Sequence, residues 1–522
     1  MPKQTPPSCG GLPLSGENNS KNSPLRKGVA RLRRDGGFVL FAKRNWLIIV
    51  ILLIASFLRL YRIYDYAEFL GDQGRDIIIV RDLLKNGNFF FIGPGTSIGN
   101  MYLGPFYYYL IAPALFFSGF NPIGPPIFIA LLGVVTVYCL YAITRKWFGQ
   151  NVALIASFLY AISPIVIKYS NFSWNPNIMP LCALLFIYFV SESKWLLASL
   201  AFIMALNSHY LALVLLPIGG IFWLIEFIKH KQNKQKTALL IKSTLLALIV
   251  FVISLIPQIL FDIKHEGQNA QAMTEFFTKR ETTVNIKFYK SFSKFPILFN
   301  QINTDLLFGK NQQISPYFSA LFALLIIYLF YFYLKHKNDK SSKYFYLILA
   351  WYGLGILGLG LYKQHIYSHY FGYIFPVVFI LAALCIQKTK IIGFAFMLAL
   401  IVLSILGNDF WHSPPSQIRR TEKIVDQIIN KANNDDFNLA LIAKQNYDTP
   451  YRYFMLEKEA KIVDTNQKIA SQLFVICEPH PDIDCNPINH PEWGIASFGW
   501  AKIDQQWEIE GVKLFKLVHR QK

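Results

Sequence analysis

Trp46-Leu47-Ile48-Ile49-Val50-Ile51-Leu52-Leu53-Ile54-Ala55-Ser56-Phe57-Leu58-Arg59-Leu60-Tyr61 holds one basic residue, near its end, and no acidic one. A helix needs about 20 such residues to cross a bilayer, fewer where polar flanks complete it. Similar runs recur at about 103–120, 123–143, 152–168, 177–191, 195–208, 210–228, 239–261, 316–334, 344–362, 371–386 and 391–407. They set the fold class: an all-α polytopic membrane protein. Few ionisable groups fall inside the runs, so nearly all the candidate chemistry sits in the connections.

The bulk composition agrees. Of 522 residues, 53% are hydrophobic and 16% aromatic, which suits spans flanked by interfacial Tyr and Trp. The formal charge of +20 would fit a nucleic-acid binder, but the basic residues fall in short clusters between apolar runs. That distribution is the positive-inside pattern and argues against nucleic acid. Residues 1–44 are too long and polar for a cleavable signal and read as a disordered tail. Its end, with Arg26, Lys27, Arg31, Arg33, Arg34, Lys43 and Arg44, is expected to stay cytoplasmic.

Twelve full crossings would put Arg145-Lys146, the 229–236 lysines and the 335–343 lysines outside. Demoting one run repairs every later connection. The run 103–120 opens with Gly104-Pro105, carries Tyr107-Tyr108-Tyr109 and is broken by Pro113, which suits an interfacial helix. About eleven transmembrane helices remain, between residues 45 and 407. The cell membrane is the expected location, with membrane lipids as surroundings. Connections 61–122 and 262–315 then face outward, with interfacial helices in the first. So does residue 408 onward, read as a small extracytoplasmic α/β domain with a helix at 417–432 and strands at 438–443, 473–477 and 512–518. Cys477 and Cys485 fall there, either bridged or as free thiols. His480 and His490 are near, but match no standard zinc spacing.

The first outer connection concentrates the candidate chemistry: Glu68-Phe69-Leu70-Gly71-Asp72-Gln73-Gly74-Arg75-Asp76. Asp72 is the lead. A carboxylate there accepts a proton from a hydroxyl as its oxygen attacks. The plainer alternative makes Asp72 the N-cap of a helix starting near Gly74. Gly71 and Gly74 read as bending the backbone and leaving space for substrate. Glu68, Arg75 and Asp76 are secondary candidates, with a surface ion pair as the plain reading of the latter two. The glycine-rich stretch 93–100 offers backbone amides to an anion or is a simple turn. Asn175, His209, Lys264, His265, Lys363, His365 and His369 end up on the same side, and cations there suit a leaving phosphate. Interfacial snorkelling explains each of the basic ones singly.

Order and sidedness of these features resemble the GT-C membrane glycosyltransferases. The likeness is to bacterial relatives of dolichyl-phosphate-mannose protein mannosyltransferases and of the lipid A aminoarabinose transferase. It rests on Arg59-Leu60-Tyr61, Gly-Asp-Gln-Gly-Arg-Asp at 71–76, Tyr102-Leu103-Gly104-Pro105-Phe106-Tyr107-Tyr108-Tyr109, Ser163-Pro164, Trp174-Asn175-Pro176-Asn177 and His209. The resemblance implies a polyprenyl-phosphate sugar donor and a lipid, glycan or protein acceptor. It also implies inversion at the anomeric carbon, with Asp72 as general base. No cofactor is implied, and a divalent metal is neither expected nor excluded. Two departures stand out. Met101, Tyr102 and Leu103 occupy a stretch where the aminoarabinose transferase has a lysine, which moves the expected phosphate contacts to the outer ends of later spans, with Tyr102 kept as a substrate-binding candidate. Gln73 follows Asp72, where the mannosyltransferases pair Asp with Glu. Rival classes are a transporter or flippase of a lipid-linked substrate, a glycan ligase or polymerase using a lipid carrier, and a sensor or scaffold. Span centres nearly free of charge and the lack of related halves speak against transport.

A topology reporter fused after Asp409 should read extracytoplasmic. A cytoplasmic signal would overturn the count of eleven.

Overall fold

The computed structural model describes residues 37–520 except 97, 98, 100, 279–286 and 445. Most of the polar tail, residues 1–36, therefore lies outside the described residues. The chain forms two compact units, Met1–Val50 and Ile51–Lys522. Helix Gly37–Leu60 begins ahead of the expected first span and departs from helical geometry at Asn45.

The apolar runs read from the sequence are helical. Among the described residues, six helices are long and apolar enough to cross a membrane: Gly124–Phe148, Tyr210–His230, Lys234–Lys264, Ser315–Lys335, Ser342–Gly360 and Ser368–Lys388. Shorter apolar helices stand beside them, among them Phe106–Phe117, Gln150–Ile162 and Trp195–Ser208. Phe106–Phe117 has 12 residues. At 1.5 Å per residue it rises only about 18 Å, well short of a crossing.

Burial sorts the helices by place. In Ser368–Lys388 nearly every side chain from Phe375 to Ile386 is buried, so this segment is the centre of the bundle. A helix apolar on all sides belongs there. Lys234–Lys264 is the opposite case: Leu245, Leu248, Ile249 and Val252 stand exposed, as on a lipid-facing periphery.

One device recurs. An extended residue leads into a 3-10 turn that tightens the entry to an apolar helix. Trp174 precedes Asn175–Ile178 and Met179–Ser191. His209 precedes Tyr210–Val214 and Leu215–His230. Tyr367 precedes Ser368–Ile374 and Phe375–Lys388. These three entries lie together at one end of the bundle. At the far end of Gly124–Phe148, basic residues predicted to share a side meet: Lys146 pairs with Glu192 at 2.5 Å and Lys343 donates to the Ser191 carbonyl at 2.8 Å.

The C-terminal segment carries helix Gln417–Ala432, whose Ile418, Ile424, Val425 and Ile428 are buried. Four strands follow: β1 Asn438–Ile442, β2 Gln472–Cys477, β3 Ala501–Ile509 and β4 Val512–His519. Their order is β1-β2-β4-β3, with β1 parallel to β2 and the other pairs antiparallel. Leu473, Val475, Phe498 and Leu517 centre the core on one face. Strand β3 was not expected. Its middle, Lys502 to Gln506, is almost wholly exposed, so no apolar alternation marks it. It is joined to β4 through Glu510 and Gly511, both at positive φ, the conformation a tight right-twisted hairpin requires. Cys477 and Cys485 are bridged, Cα atoms 5.7 Å apart, which settles the alternative left open by sequence.

This α/β segment rests on the connection after the first apolar helix. Ser416 N donates to the Asp65 carbonyl and Arg419 pairs with the Asp65 carboxylate, both at 2.9 Å. Phe69 N donates to Gln417 Oε1 at 2.7 Å, and Tyr453 Oη to the Phe120 carbonyl at 2.6 Å. Arg81 and Lys85 both meet Glu457. Closest of all, a Cβ on Gly74 would stand 2.4 Å from the backbone nitrogen of Pro450.

Because that neighbour is backbone, it cannot swing aside. Gly74→Ala should destabilise the docked segment by about 1–3 kcal/mol. The expected readout is a lowered thermal transition and faster proteolysis of residues beyond 409 in detergent-solubilised protein. An unmoved transition would show that the contact is loose.

Candidate active site

The residues from Glu68 to Asp76 enter helix Gly71–Asn86. Its start is determined by where the first peptide groups find partners. The Gln73 side chain reaches back to accept from Leu70 N at 2.9 Å, the reciprocal half of a capping arrangement. Gly71 N donates to Asn446 Oδ1 at 2.8 Å. Gln73, which stands where the mannosyltransferases have Glu, is thus buried in a capping role. The helix ends where Gly87 takes a left-handed conformation.

Asp72 is therefore not the N-cap. It occupies the first turn, where the positive end of the helix dipole favours its charge. Its Oδ1 accepts from Arg75 at 2.9 Å and its Oδ2 from Trp174 Nε1 at 3.1 Å. The side chain is 38% exposed, and each oxygen has a further lone pair. Arg75 also pairs with Asp76 at 2.7 Å, so one guanidinium spans two carboxylates. Asp76 is buried, and burial pushes its carboxyl up to about 6 against the pull of Arg75. Its Oδ2 lacks a hydrogen-bond partner, with the Tyr108 phenol beside the pair. Arg75 is raised in turn by the two carboxylates. Glu68 is pushed up by burial and held back by Lys168.

Gly71 and Gly74 do not make space for a substrate. A Cβ on Gly71 would lie 2.4 Å from the Tyr447 ring, and Gly74 abuts Pro450. Both glycines admit the C-terminal segment instead.

Trp174 links Asp72 to the helix entries. Its ring centroid is 4.5 Å from that of His369, and His369 lies 6.3 Å from His209. His209 and His369 both pack on Tyr370, at 5.3 and 4.5 Å. The His209 Nδ1 accepts from Leu211 N, which places the proton of a neutral ring on Nε2. Asn175 fixes the entries to one another: its Nδ2 donates to the Ser208 carbonyl and its own carbonyl accepts from Ser208 Oγ, both at 2.7 Å. Asn175 is thus a brace rather than a free binding group.

Tyr102 belongs to a neighbouring corner. Its carbonyl accepts from Tyr210 Oη at 2.6 Å and its N donates to Asn269 Oδ1 at 2.8 Å. The 93–103 stretch pairs with itself through Gly93 N to Leu103 O, Leu103 N to Pro94 O and Thr96 N to Met101 O. Those amides are engaged, while Ser97, Ile98 and Asn100 lie outside the described residues. Lys264 and His265 are exposed; His265 stacks on Phe261 at 4.0 Å. Lys363 is exposed, and His365 reaches His369 only through Tyr367.

A family model described as dolichyl-phosphate-mannose-protein mannosyltransferase matches residues 103–256. The structure of ArnT from Cupriavidus metallidurans bound to undecaprenyl phosphate superposes with a TM-score of 0.58 at 12% identity, over 91% of this chain and 98% of that one. The apo form of that ArnT gives 0.57 at 11%, over 92% and 100%. The chain shares the fold of that ArnT. A looser similarity, TM-score 0.46 at 12% identity over 83% and 70%, extends to the oligosaccharyltransferase AglB from Archaeoglobus fulgidus. No curated protein matches the sequence.

Three groups beside the candidate residues escaped the set read from the sequence. Trp174 was singled out only as part of a motif. Lys168 ends an apolar run and read as a flank. Asp305 accepts from Ser368 Oγ at 2.7 Å, beside His369, and burial raises its carboxyl. It is an acid in a helix of the second large connection, and nothing in its local sequence ties it to Ser368.

Asp76 supplies a test of this geometry. Its folded-state value lies above the usual carboxyl value near 4, so the native state binds the extra proton between about pH 4 and 6. Stability from this group therefore falls as pH rises through that window. The stability of the native protein relative to Asp76→Asn should grow as pH is lowered from 7 to 5. A difference independent of pH, read by thermal unfolding, would show that the carboxyl is not shifted.

Proposed function

We propose that the chain is an inverting glycosyltransferase of the extracytoplasmic membrane face. It moves a sugar from a polyprenyl-phosphate donor to a hydroxyl of a lipid, glycan or protein. The observation that carries this reading is the placement of Asp72: a partly exposed carboxylate, held by Arg75 and Trp174, where the buried helix entries of a GT-C fold converge. A fold seen in ArnT with undecaprenyl phosphate supports a lipid-linked donor.

In the proposed reaction the acceptor O–H gives its proton to the Asp72 carboxylate as the oxygen attacks the anomeric carbon. The bond from that carbon to the phosphate oxygen breaks on the far side, and the phosphate leaves with the electron pair. Arg75 and Trp174 fix the carboxylate so that no orientation has to be found during the step. Arg75 is neutralised by its two carboxylates, so another cation must meet the phosphate charge. Lys168, whose charge acts on Glu68, is the candidate for that role.

Asp72→Asn keeps size and one of the two accepted hydrogen bonds, and removes the base. Product should drop by about 10²–10⁴-fold in protein that remains folded. Mass spectrometry of membrane glycolipids and envelope glycans, with and without the protein, identifies the product and reads the variant. Full product from a well-folded Asp72→Asn protein would refute the assignment.

A further inference from the structure

Helix Gly71–Asn86 has no N-cap of its own. The cap position is Leu70, whose side chain accepts no hydrogen bond. An exposed Asn, Asp, Ser or Thr normally fills this place. The acceptor comes instead from the C-terminal segment: Asn446 Oδ1 takes the Gly71 N–H at 2.8 Å and the Tyr447 N–H at 2.9 Å. Thr449 Oγ donates to the Gly71 carbonyl at 2.6 Å, so both peptide groups of Gly71 are held from across the structure.

Asn446 is itself held. Its Nδ2 donates to Glu478 Oε1 at 2.8 Å, and the same oxygen accepts from Tyr451 Oη at 2.8 Å. Glu478 follows Cys477, the last residue of β2 and one end of the disulfide. Glu478 N donates to the Ile442 carbonyl at 3.0 Å, which ties it to β1. The line from sheet to helix is continuous: β1 and β2, Glu478, Asn446, Gly71. Asp72 is the next residue.

We propose that Asn446 is a positioning residue for Asp72, an N-cap supplied from the C-terminal segment that sets where the carboxylate stands. This deepens the proposed function and rests on Asp72 being the base. The physical reason is reach. An aspartate in the first helical turn moves with that turn, and an uncapped turn frays. Displacing a reacting group by about 1 Å costs on the order of 10²-fold in rate. Thr449 and the Gly74 contact remain in Asn446→Ala, so partial fraying and a smaller loss are expected.

The test uses the full chain in cells lacking the native copy, with variants at equal membrane levels. Asn446→Ala should lower glycan product about 10-fold. It should also speed amide hydrogen exchange in a peptide covering residues 68–80. The double change Asn446→Asp with Glu478→Gln reverses donor and acceptor along the same line while keeping the acceptor for Gly71 N. It should restore both product and protection. A residue needed only for folding of the segment would not be rescued in this way. Asp72→Asn is run in parallel. Abolished product there with wild-type product from Asn446→Ala overturns the positioning role and leaves the base in place. Restored amide protection without restored product in the double variant also overturns it. Retained product in Asp72→Asn sinks the base and the positioning role together.

Discussion

Hydrocarbon provides no partner for a charge or an unpaired peptide group, and this protein is arranged around that constraint. Arg59, the basic residue within the first apolar run, shows what it demands. Its guanidinium is buried and donates to Ser170 Oγ at 3.1 Å, the Ala55 carbonyl at 3.2 Å and the Ala161 carbonyl at 3.0 Å. Among the described residues, its hydrogen-bond partners are neutral oxygens. Carboxylates of the candidate site gather instead where apolar helices begin, beside 3-10 turns and connections that can supply donors.

The site is thus an assembly of edges. Asp72 comes from a helix outside the bundle, Trp174, His209 and His369 from the entries to three apolar helices, and Asp305 from a later connection. Hydrogen bonds tie Trp174 to Asp72, Asn175 to Ser208 and Ser368 to Asp305. Aromatic packing joins the entries, and ion pairs through Arg75 order the carboxylates. The C-terminal segment belongs to the same compact unit as the bundle from Ile51 onward, and it holds the helix that carries Asp72 rather than hanging free.

What could be read in advance follows from which interactions are local. Apolar runs announce helices because burial in lipid depends on composition, and the amphipathic Gln417–Ala432 shows its periodicity directly. Asp72, Arg75 and Asp76 were found together because the start of one helix gathers them, with Glu68 just ahead of it. His209 and His369, 160 positions apart by subtraction of their numbers, were placed on one side by sidedness alone, and the structure brings them within 6.3 Å. The roles of Gly71, Gly74 and Gln73 were illegible: their partners, Tyr447, Pro450 and the Leu70 peptide, depend on docking of a segment more than 370 residues away for the glycines, and on a local helix start for Gln73. Strand β3 was missed because an exposed edge strand needs no apolar pattern.

Helix Trp195–Ser208 has 14 residues, a rise of about 21 Å, against a hydrocarbon layer of roughly 30 Å. Its Ser208 end is the one braced by Asn175 beneath the candidate site. A bilayer answers such a short wall by thinning against it. Where this helix meets lipid, such thinning would draw the polar headgroup layer toward Trp174, His209 and His369.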